Sequence, residues 1–263
     1  MGLYGLEGKT AIVTGAGSGI GRGIAEEMVK AGAQVAVADI NRAAAEESVG
    51  LLREQGGRAE PIVADVTDEQ SVEAMLNSVV DRFECVDILV NNAGGLGPRP
   101  TMTPTVDMSL EHWEWVLRLN VTSQFLCSRA CIRYWLEESR KGSIVNVSSL
   151  AALVPYETSA AYGVAKAGVV NLTATLAAQY GKQGIRVNCI APGHVRTPIT
   201  DELYKGREEV RAAQDRIIPA GRYAEPAELG RVAVFLASDA SSYVTGQTLL
   251  VTGGMHYFLT KLP

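Results

Sequence analysis

In the stretch AAYGVAKAGV, Tyr162 stands four residues ahead of Lys166. On a helix that spacing puts both side chains on one face, and a phenol beside an ammonium is a pairing suited to proton transfer. A phenol with a reference pKa of about 10 is a poor base near neutrality and needs that pKa to fall by about 3 units, or about 4 kcal/mol. An ammonium about 4 Å away, at an effective dielectric of about 20, contributes a term of about that size. Spacing does not by itself single out this pair, because YFLTK in the tail gives Tyr257 and Lys261 the same separation.

A second constellation lies near the N-terminus. TGAGSGIGRG follows the apolar run KTAIVT and carries glycines at Gly15, Gly17, Gly19 and Gly21. A glycine cluster between a strand and a helix turns sharply and offers backbone N–H groups at a helix N-terminus, where a pyrophosphate can sit. The spacing is not G-x-G-x-x-G, and no Lys-Ser/Thr follows as in a P-loop. The next apolar run, QVAVAD, ends in Asp39, 18 residues beyond Gly21. A carboxylate there can accept hydrogen bonds from adenosine ribose hydroxyls and repels a 2′-phosphate, which favours NAD over NADP. Arg42 leaves some tolerance of NADP, and the competing interpretation is a tight turn and a solvated carboxylate with no ligand.

Positioning these groups requires a regular scaffold, and the hydropathy pattern supplies one. Short apolar runs alternate with longer amphipathic ones: KTAIVT, a helix from about Gly19 to Ala31, QVAVAD, the helix NRAAAEESVGLLREQ, then AEPIVAD and a helix from about Asp68 to Phe83. DILVNN, a long helix from about Ser109 to Trp135, GSIVNVS, a helix from about Ala160 to Tyr180, IRVNCIAP, a helix near Glu225 to Ala237 and QTLLVTGG complete the series. Nearly continuous apolar strands alternating with helices predict an α/β fold with a doubly wound parallel sheet of about seven strands. No boundary interrupts it, so residues 1–263 read as one domain. Two stretches, Gly94 to Asp107 and Pro192 to Pro219, read as irregular; both follow strands, on the edge where such sheets bind ligands. The second is read as a substrate lid near 194–219.

Composition narrows the function classes. The chain has 263 residues, 47% hydrophobic, with 24 Lys+Arg against 29 Asp+Glu and a net charge of −5, without like-charge runs. Neither nucleic acid nor an anionic membrane is an expected partner. The start MGLYGLEGKT lacks a basic-then-apolar leader, and no apolar run approaches the roughly 18 residues of a membrane span, so a cytoplasmic location is expected. Cys85, Cys127, Cys131 and Cys189 include no Cys-x-x-Cys and read as free thiols, while His112, His194 and His256 are too scattered for a metal site.

Taken in order, TGAGSGIG, Asp39, ADV at Ala64 to Val66, NNAG at Asn91 to Gly94, Asn120, Ser149, YGVAK and PGHVRTP resemble the short-chain dehydrogenase/reductase family over nearly the whole chain. The resemblance implies a Rossmann-type fold and a catalytic group of Asn120, Ser149, Tyr162 and Lys166. Ser149 precedes Tyr162 by 13 residues as the family expects, whereas 13 residues before Tyr257 stands Val244, so the tail pair has no such serine. Tyr162 is then the general acid/base, Lys166 lowers its pKa and binds the nicotinamide ribose, Ser149 hydrogen-bonds the substrate oxygen, and Asn120 holds a water that relays protons to Lys166. The cofactor contacts it implies are Gly15, Ser18, Gly19, Ile20 and Gly21 in the loop, and Asp65 and Val66 beside the adenine. Asn92 and Gly94 follow in the cavity, with Pro192, Gly193 and Val195 near the nicotinamide and Thr197 on its carboxamide.

The expected activity is hydride transfer between NAD and a secondary alcohol or ketone, by a homotetramer. The alternatives are a 3-oxoacyl thioester reductase and a catalytically silent nucleotide-binding regulator. Leu96, Leu150, Val154, Tyr156, His194 and Tyr204 are expected to line the substrate pocket. The loop GGLGPRPTMTPTVD is a few residues longer than is usual in the family, and its Arg99 either binds a carboxylate or stays solvated.

Overall fold

The first strand, β1 (Thr10–Thr14), reads TAIVT and is buried at every position. Ala11 and Val13 enter one core while Ile12 enters another, the period of two expected when helices cover both faces of a sheet. A computed structural model describes residues 4–96, 103–155 and 160–255. The remaining strands are β2 (Gln34–Asp39), β3 (Ala59–Val63), β4 (Ile88–Asn91), β5 (Gly142–Val147), β6 (Ile185–Pro192) and β7 (Thr248–Val251). They form one sheet in the order β3-β2-β1-β4-β5-β6-β7, with every pairing parallel. Pro61 is tolerated in β3 because that strand is an edge, where a missing ladder donor costs least.

The helices are α1 (Gly19–Lys30), α2 (Arg42–Glu54), α3 (Glu69–Phe83), α4 (Leu110–Leu117), α5 (Ser123–Glu137), α6 (Ala160–Tyr180), α7 (Pro198–Tyr204), α8 (Glu208–Ile217) and α9 (Pro226–Ala237). One face of the sheet is covered by α1, α2 and α9 through Ile24, Met28, Val49, Leu52, Leu229 and Leu236. The other is covered by α3, α5 and α6 through Met75, Val79, Phe83, Ile132, Trp135 and Leu176. The expected doubly wound sheet is therefore observed. Among the described residues, no helix is long and apolar enough to cross a membrane.

Two local expectations differ. The single helix expected from Ser109 to Trp135 is α4 and α5 joined by a wider π turn at Arg118–Thr122. Asn120, fully buried inside that turn, donates its amide to the Val116 carbonyl at 2.9 Å, satisfying a group that the widened ladder loosens. The stretch Pro192 to Pro219, expected to be irregular, contains α7 and α8. The start of α7 is written in the sequence: Thr197 and Thr200 form a reciprocal capping box and Pro198 occupies the first helical position.

Trp135 anchors the lower half of the second core. It is fully buried, its indole N–H donates to the Val86 carbonyl at 2.7 Å, and Gly142 opposite has no room for a Cβ, which would come within 2.4 Å of the ring. Trp135→Phe strands that carbonyl and leaves a small void. Its unfolding midpoint in urea is expected to fall by an amount equivalent to about 1–3 kcal/mol, with the m-value unchanged.

Candidate active site

The strand order reverses between β1 and β4, and the crevice beyond their carboxyl ends is where a doubly wound sheet accepts ligands. A cavity of about 590 Å³ opens there. It gathers Gly15, Ser18, Gly19 and Ile20 from the loop after β1 and Asn92 and Gly94 from the end of β4. Ser149 follows β5, Tyr162 and Lys166 come from α6, and Pro192, Gly193 and Thr197 come from the end of β6 onward. Gly21, Asp39, Asp65, Val66, Asn120 and Val195 are not among the residues that line this cleft.

The loop is shaped by close packing. Gly15 has φ +63, and a Cβ there would lie 2.9 Å from the Ala93 backbone. A Cβ at Gly21 would lie 2.2 Å from the Gly15 carbonyl, so α1 can approach the loop only with glycine there. Asn92 holds the turn by donating its amide to the carbonyls of Thr14 (2.9 Å) and Gly15 (3.1 Å). Ser18, the N-cap of α1, makes no side-chain capping bond, and the first turn carries no acidic residue. The helix's first N–H groups thus lack side-chain partners where the dipole is positive, which fits a pyrophosphate.

At the end of β2, Asp39 accepts from the Gly17 N–H and from the Asn41 N–H, both at 2.9 Å. Its carboxylate is therefore tied to the glycine loop. Arg22 is held in place by Glu47, Ser48 and the Gly17 carbonyl, and Arg42, largely exposed, pairs with Glu46 at 3.7 Å. Asp65 accepts from the backbone and hydroxyl of Thr67, and Val66 is buried. Val195 is buried and bridges to Ala224.

The Tyr-Lys pair of α6 sits on the helix face turned toward the cleft. Lys166 is 3% exposed, lies 5.6 Å from the centroid of the Tyr162 ring, and donates to the Val147 carbonyl at 3.0 Å. Gln124 donates to that same carbonyl at 3.0 Å. Burial holds the Lys166 ammonium down to about 8, so it remains charged at neutrality. Asn120 is linked to the chain after β4, accepting from the Gly95 N–H at 3.0 Å and donating to the Gly95 carbonyl at 2.7 Å. Gly94 passes so close that a Cβ would lie 2.7 Å from the Asn120 oxygen and 3.1 Å from the Lys166 nitrogen. Ser149 accepts from the Ala151 N–H at 3.2 Å, which fixes its backbone at the mouth of the cleft. Among the described residues, no group of three or more His, Cys, Asp or Glu side chains is placed to hold a metal ion. Cys127, Cys131 and Cys189 are buried free thiols whose pKa values burial raises; Cys85 is partly exposed.

Of the residues expected in the substrate pocket, Leu96 lines the cleft. Leu150, Val154 and Tyr204 instead pack with Ile218, Tyr223 and Met255 in a small separate core, and His194 meets the Tyr223 ring edge-on at 4.9 Å. They bury one another beside α7 and α8 rather than line the cleft. Tyr156, Arg99 and the pair Tyr257 and Lys261 lie outside the described residues. Trp115, Leu119, Pro198 and Ile199 line the cleft without having been singled out from the sequence. Trp115 lies in α4 and Leu119 in the π turn that follows it.

A family model described as enoyl-(acyl carrier protein) reductase matches residues 15–256. Glucose 1-dehydrogenase 2 of Bacillus subtilis (strain 168) is 37% identical over 260 residues, covering 98% of this chain and 98% of its own. The structure of a candidate 2-deoxy-D-gluconate 3-dehydrogenase from Agrobacterium tumefaciens with bound NADP matches with a TM-score of 0.88 at 32% identity, over 98% of this chain and 100% of its own. A 7α-hydroxysteroid dehydrogenase complexed with NADH and 7-oxo glycochenodeoxycholic acid gives a TM-score of 0.89 at 36% identity, over 96% of each chain.

The buried Lys166 should cost the fold stability. Between about pH 8 and pH 10.5 the unfolded chain keeps a proton on this amine that the folded chain has released, so the penalty is full below pH 8 and fades as pH rises through that window. Lys166→Met is expected to be more stable than the wild type at pH 7, by up to about 3 kcal/mol, with the difference closing toward pH 10.5. Urea titrations of both proteins across this range measure it.

Proposed function

The chain belongs to the short-chain dehydrogenase/reductase family, and from that premise we infer how its cleft works. It is an NAD(P)-dependent oxidoreductase acting on CH–OH groups and the corresponding ketones. The observation that carries the mechanism is the buried Lys166 ammonium beside the Tyr162 ring, in the same cleft as Ser149 and the uncapped N-terminus of α1. When bound, the nicotinamide accepts a hydride from the alcohol or returns one to the ketone.

In this reading, Ser149 hydrogen-bonds the substrate oxygen and Tyr162 exchanges its phenolic proton with it. Lys166 stabilises the phenolate through its charge, its position fixed by the Val147 carbonyl. Asn120 acts as a positioning residue, tying the π turn to Gly95 so that the segment after β4 passes beside Lys166. The loop of Gly15, Ser18, Gly19, Ile20 and Gly21 holds the pyrophosphate, Asp39 the adenosine ribose, Asp65 and Val66 the adenine. Asn92, Gly94, Pro192, Gly193, Val195 and Thr197 shape the nicotinamide end. Retention of Ser149, Tyr162 and Lys166 in one cleft favours catalysis over a silent nucleotide-binding regulator.

The relatives divide over cofactor, one structure holding NADP and another NADH. Asp39 supports NAD here, because its carboxylate faces the glycine loop and both nearby arginines, Arg22 and Arg42, already have carboxylate partners. We further assign the chain to the cytoplasm as one domain with a lid near 194–219, working as a homotetramer. Apolar residues left uncovered on α5 and α6, such as Phe125, Leu136 and Val164, support a partner subunit at that face.

Two outcomes follow from these roles. Tyr162→Phe removes the transferable proton while keeping nearly all of the packing, so kcat should fall by at least about 10² with NAD affinity nearly unchanged; steady-state kinetics combined with calorimetry measures both, and near-normal kcat would overturn the assignment. Wild-type protein should bind NAD(H) more tightly than NADP(H), and Asp39→Ala should narrow that gap mainly by weakening NAD(H). Calorimetry with both cofactors decides it, and equal or tighter NADP(H) binding by the wild type would reverse the preference.

A further inference from the structure

Among the residues that line the cleft with Ser149 and Tyr162 are the apolar Leu96, Trp115, Leu119, Pro198 and Ile199. Trp115 comes from α4 and Ile199 from the first turn of α7, and both remain open to solvent, at 41% and 76% exposure. Large apolar side chains gathered in a concave site without cover are what a hydrocarbon ligand would bury. Trp115 and Ile199 share this cavity with the catalytic tyrosine.

Charge gives the complementary argument. Among the described lining residues, Lys166 is the sole ionisable cation, and it is directed at the Val147 carbonyl. Two arginines of the segment after β6 are already engaged. Arg196 pairs with Glu225 at 3.2 Å, and Arg211 pairs with Asp201 at 3.1 Å while its guanidinium covers the Tyr223 ring. Against these apolar side chains a substrate carboxylate would be desolvated with no cation partner among the described residues, and polyol hydroxyls would give up hydrogen bonds to water; both carry a penalty that hydrocarbon avoids.

We propose that the physiological substrate class is an uncharged secondary alcohol, or its ketone, with a hydrocarbon body packed between Trp115 and Ile199, and that these two residues set the specificity. The inference rests on the oxidoreductase reading above. In oxidation the carbinol hydrogen leaves as hydride to the oxidised nicotinamide and the hydroxyl proton leaves by way of Tyr162, so the alcohol becomes the ketone and the cofactor is reduced. Trp115 and Ile199 touch neither the hydride nor the proton; they hold the carbon skeleton that carries both.

The test compares 2-decalol with D-gluconate and D-glucose under both oxidised cofactors, following reduced-nicotinamide absorbance. The expected kcat/KM for 2-decalol exceeds that for either sugar compound by at least about 10². Trp115→Ala and Ile199→Ser should each raise KM for 2-decalol by about tenfold while kcat stays within about threefold, the signature of lost binding shared by ground and transition states. Trp115→Ala or Ile199→Ser leaving KM for 2-decalol unchanged would overturn the specificity role. Turnover of D-gluconate or D-glucose equal to or better than that of 2-decalol would overturn the substrate class and leave the oxidoreductase reading standing. Failure of the folded chain to bind either nicotinamide cofactor in calorimetry would remove that reading, and this inference with it.

Discussion

A lysine ammonium held out of water beside a phenol is the interaction on which the rest of this structure depends. Lys166 is nearly inaccessible, and its desolvation is opposed mainly by one backbone carbonyl, that of Val147. Among the described residues, no carboxylate forms an ion pair with Lys166. The fold has to supply stability from elsewhere, and it does so with two apolar cores, one on each side of a fully parallel sheet.

The same requirement explains why polar groups cluster at the carboxyl ends of the central strands. The amide of Asn91 donates to Asn146 and Ser128, and Asn146 donates to Thr173 on α6, so a buried network ties β4, β5 and α6 together near Tyr162 and Lys166. Ser148 donates to the Lys166 carbonyl and Gln124 to that of Val147, bracing the backbone on either side of the ammonium. Each of these bonds is modest alone, but together they restrict α6 to one register against the sheet. Glycine serves the opposite purpose above the network. Gly15, Gly21 and Gly94 remove side chains where loop, helix and lysine must approach within van der Waals contact.

The segment after β6 divides its apolar residues between two settings. Tyr204, Ile217 and Ile218 pack on Tyr223, Leu150 and Met255, giving α7 and α8 a small core of their own. Pro198 and Ile199 at the start of α7 are left facing the cleft. One short helix, α7, is thereby held by one set of contacts and turns another toward the cleft, so that the shape of the cleft depends on packing outside it.

The sequence by itself determined the α/β alternation, the parallel sheet, the bounds of α6 and the candidate catalytic group, because these rest on short-range physics. Apolar runs with no polar face report burial on both sides of a strand, a glycine cluster reports a turn wherever it occurs, and Tyr162 and Lys166 share a helix face at four residues' spacing. Separation from Ser149 distinguished this pair from Tyr257 and Lys261 because family spacing carries information that the i,i+4 pattern lacks. Other features depended on which distant segments meet. The π turn at Arg118–Thr122 arises where Asn120 bonds both Val116 and Gly95, 25 residues earlier in the chain, and no local pattern encodes that second partner. Leu150, Val154 and Tyr204 were legible as apolar residues near the site, yet whether they faced ligand or one another was decided by how α7 and α8 close on Tyr223. Trp115 and Ile199 carried no chemical signal in sequence; each is apolar on its own helix, and they acquire a shared role because the tertiary fold sets them in the same cleft.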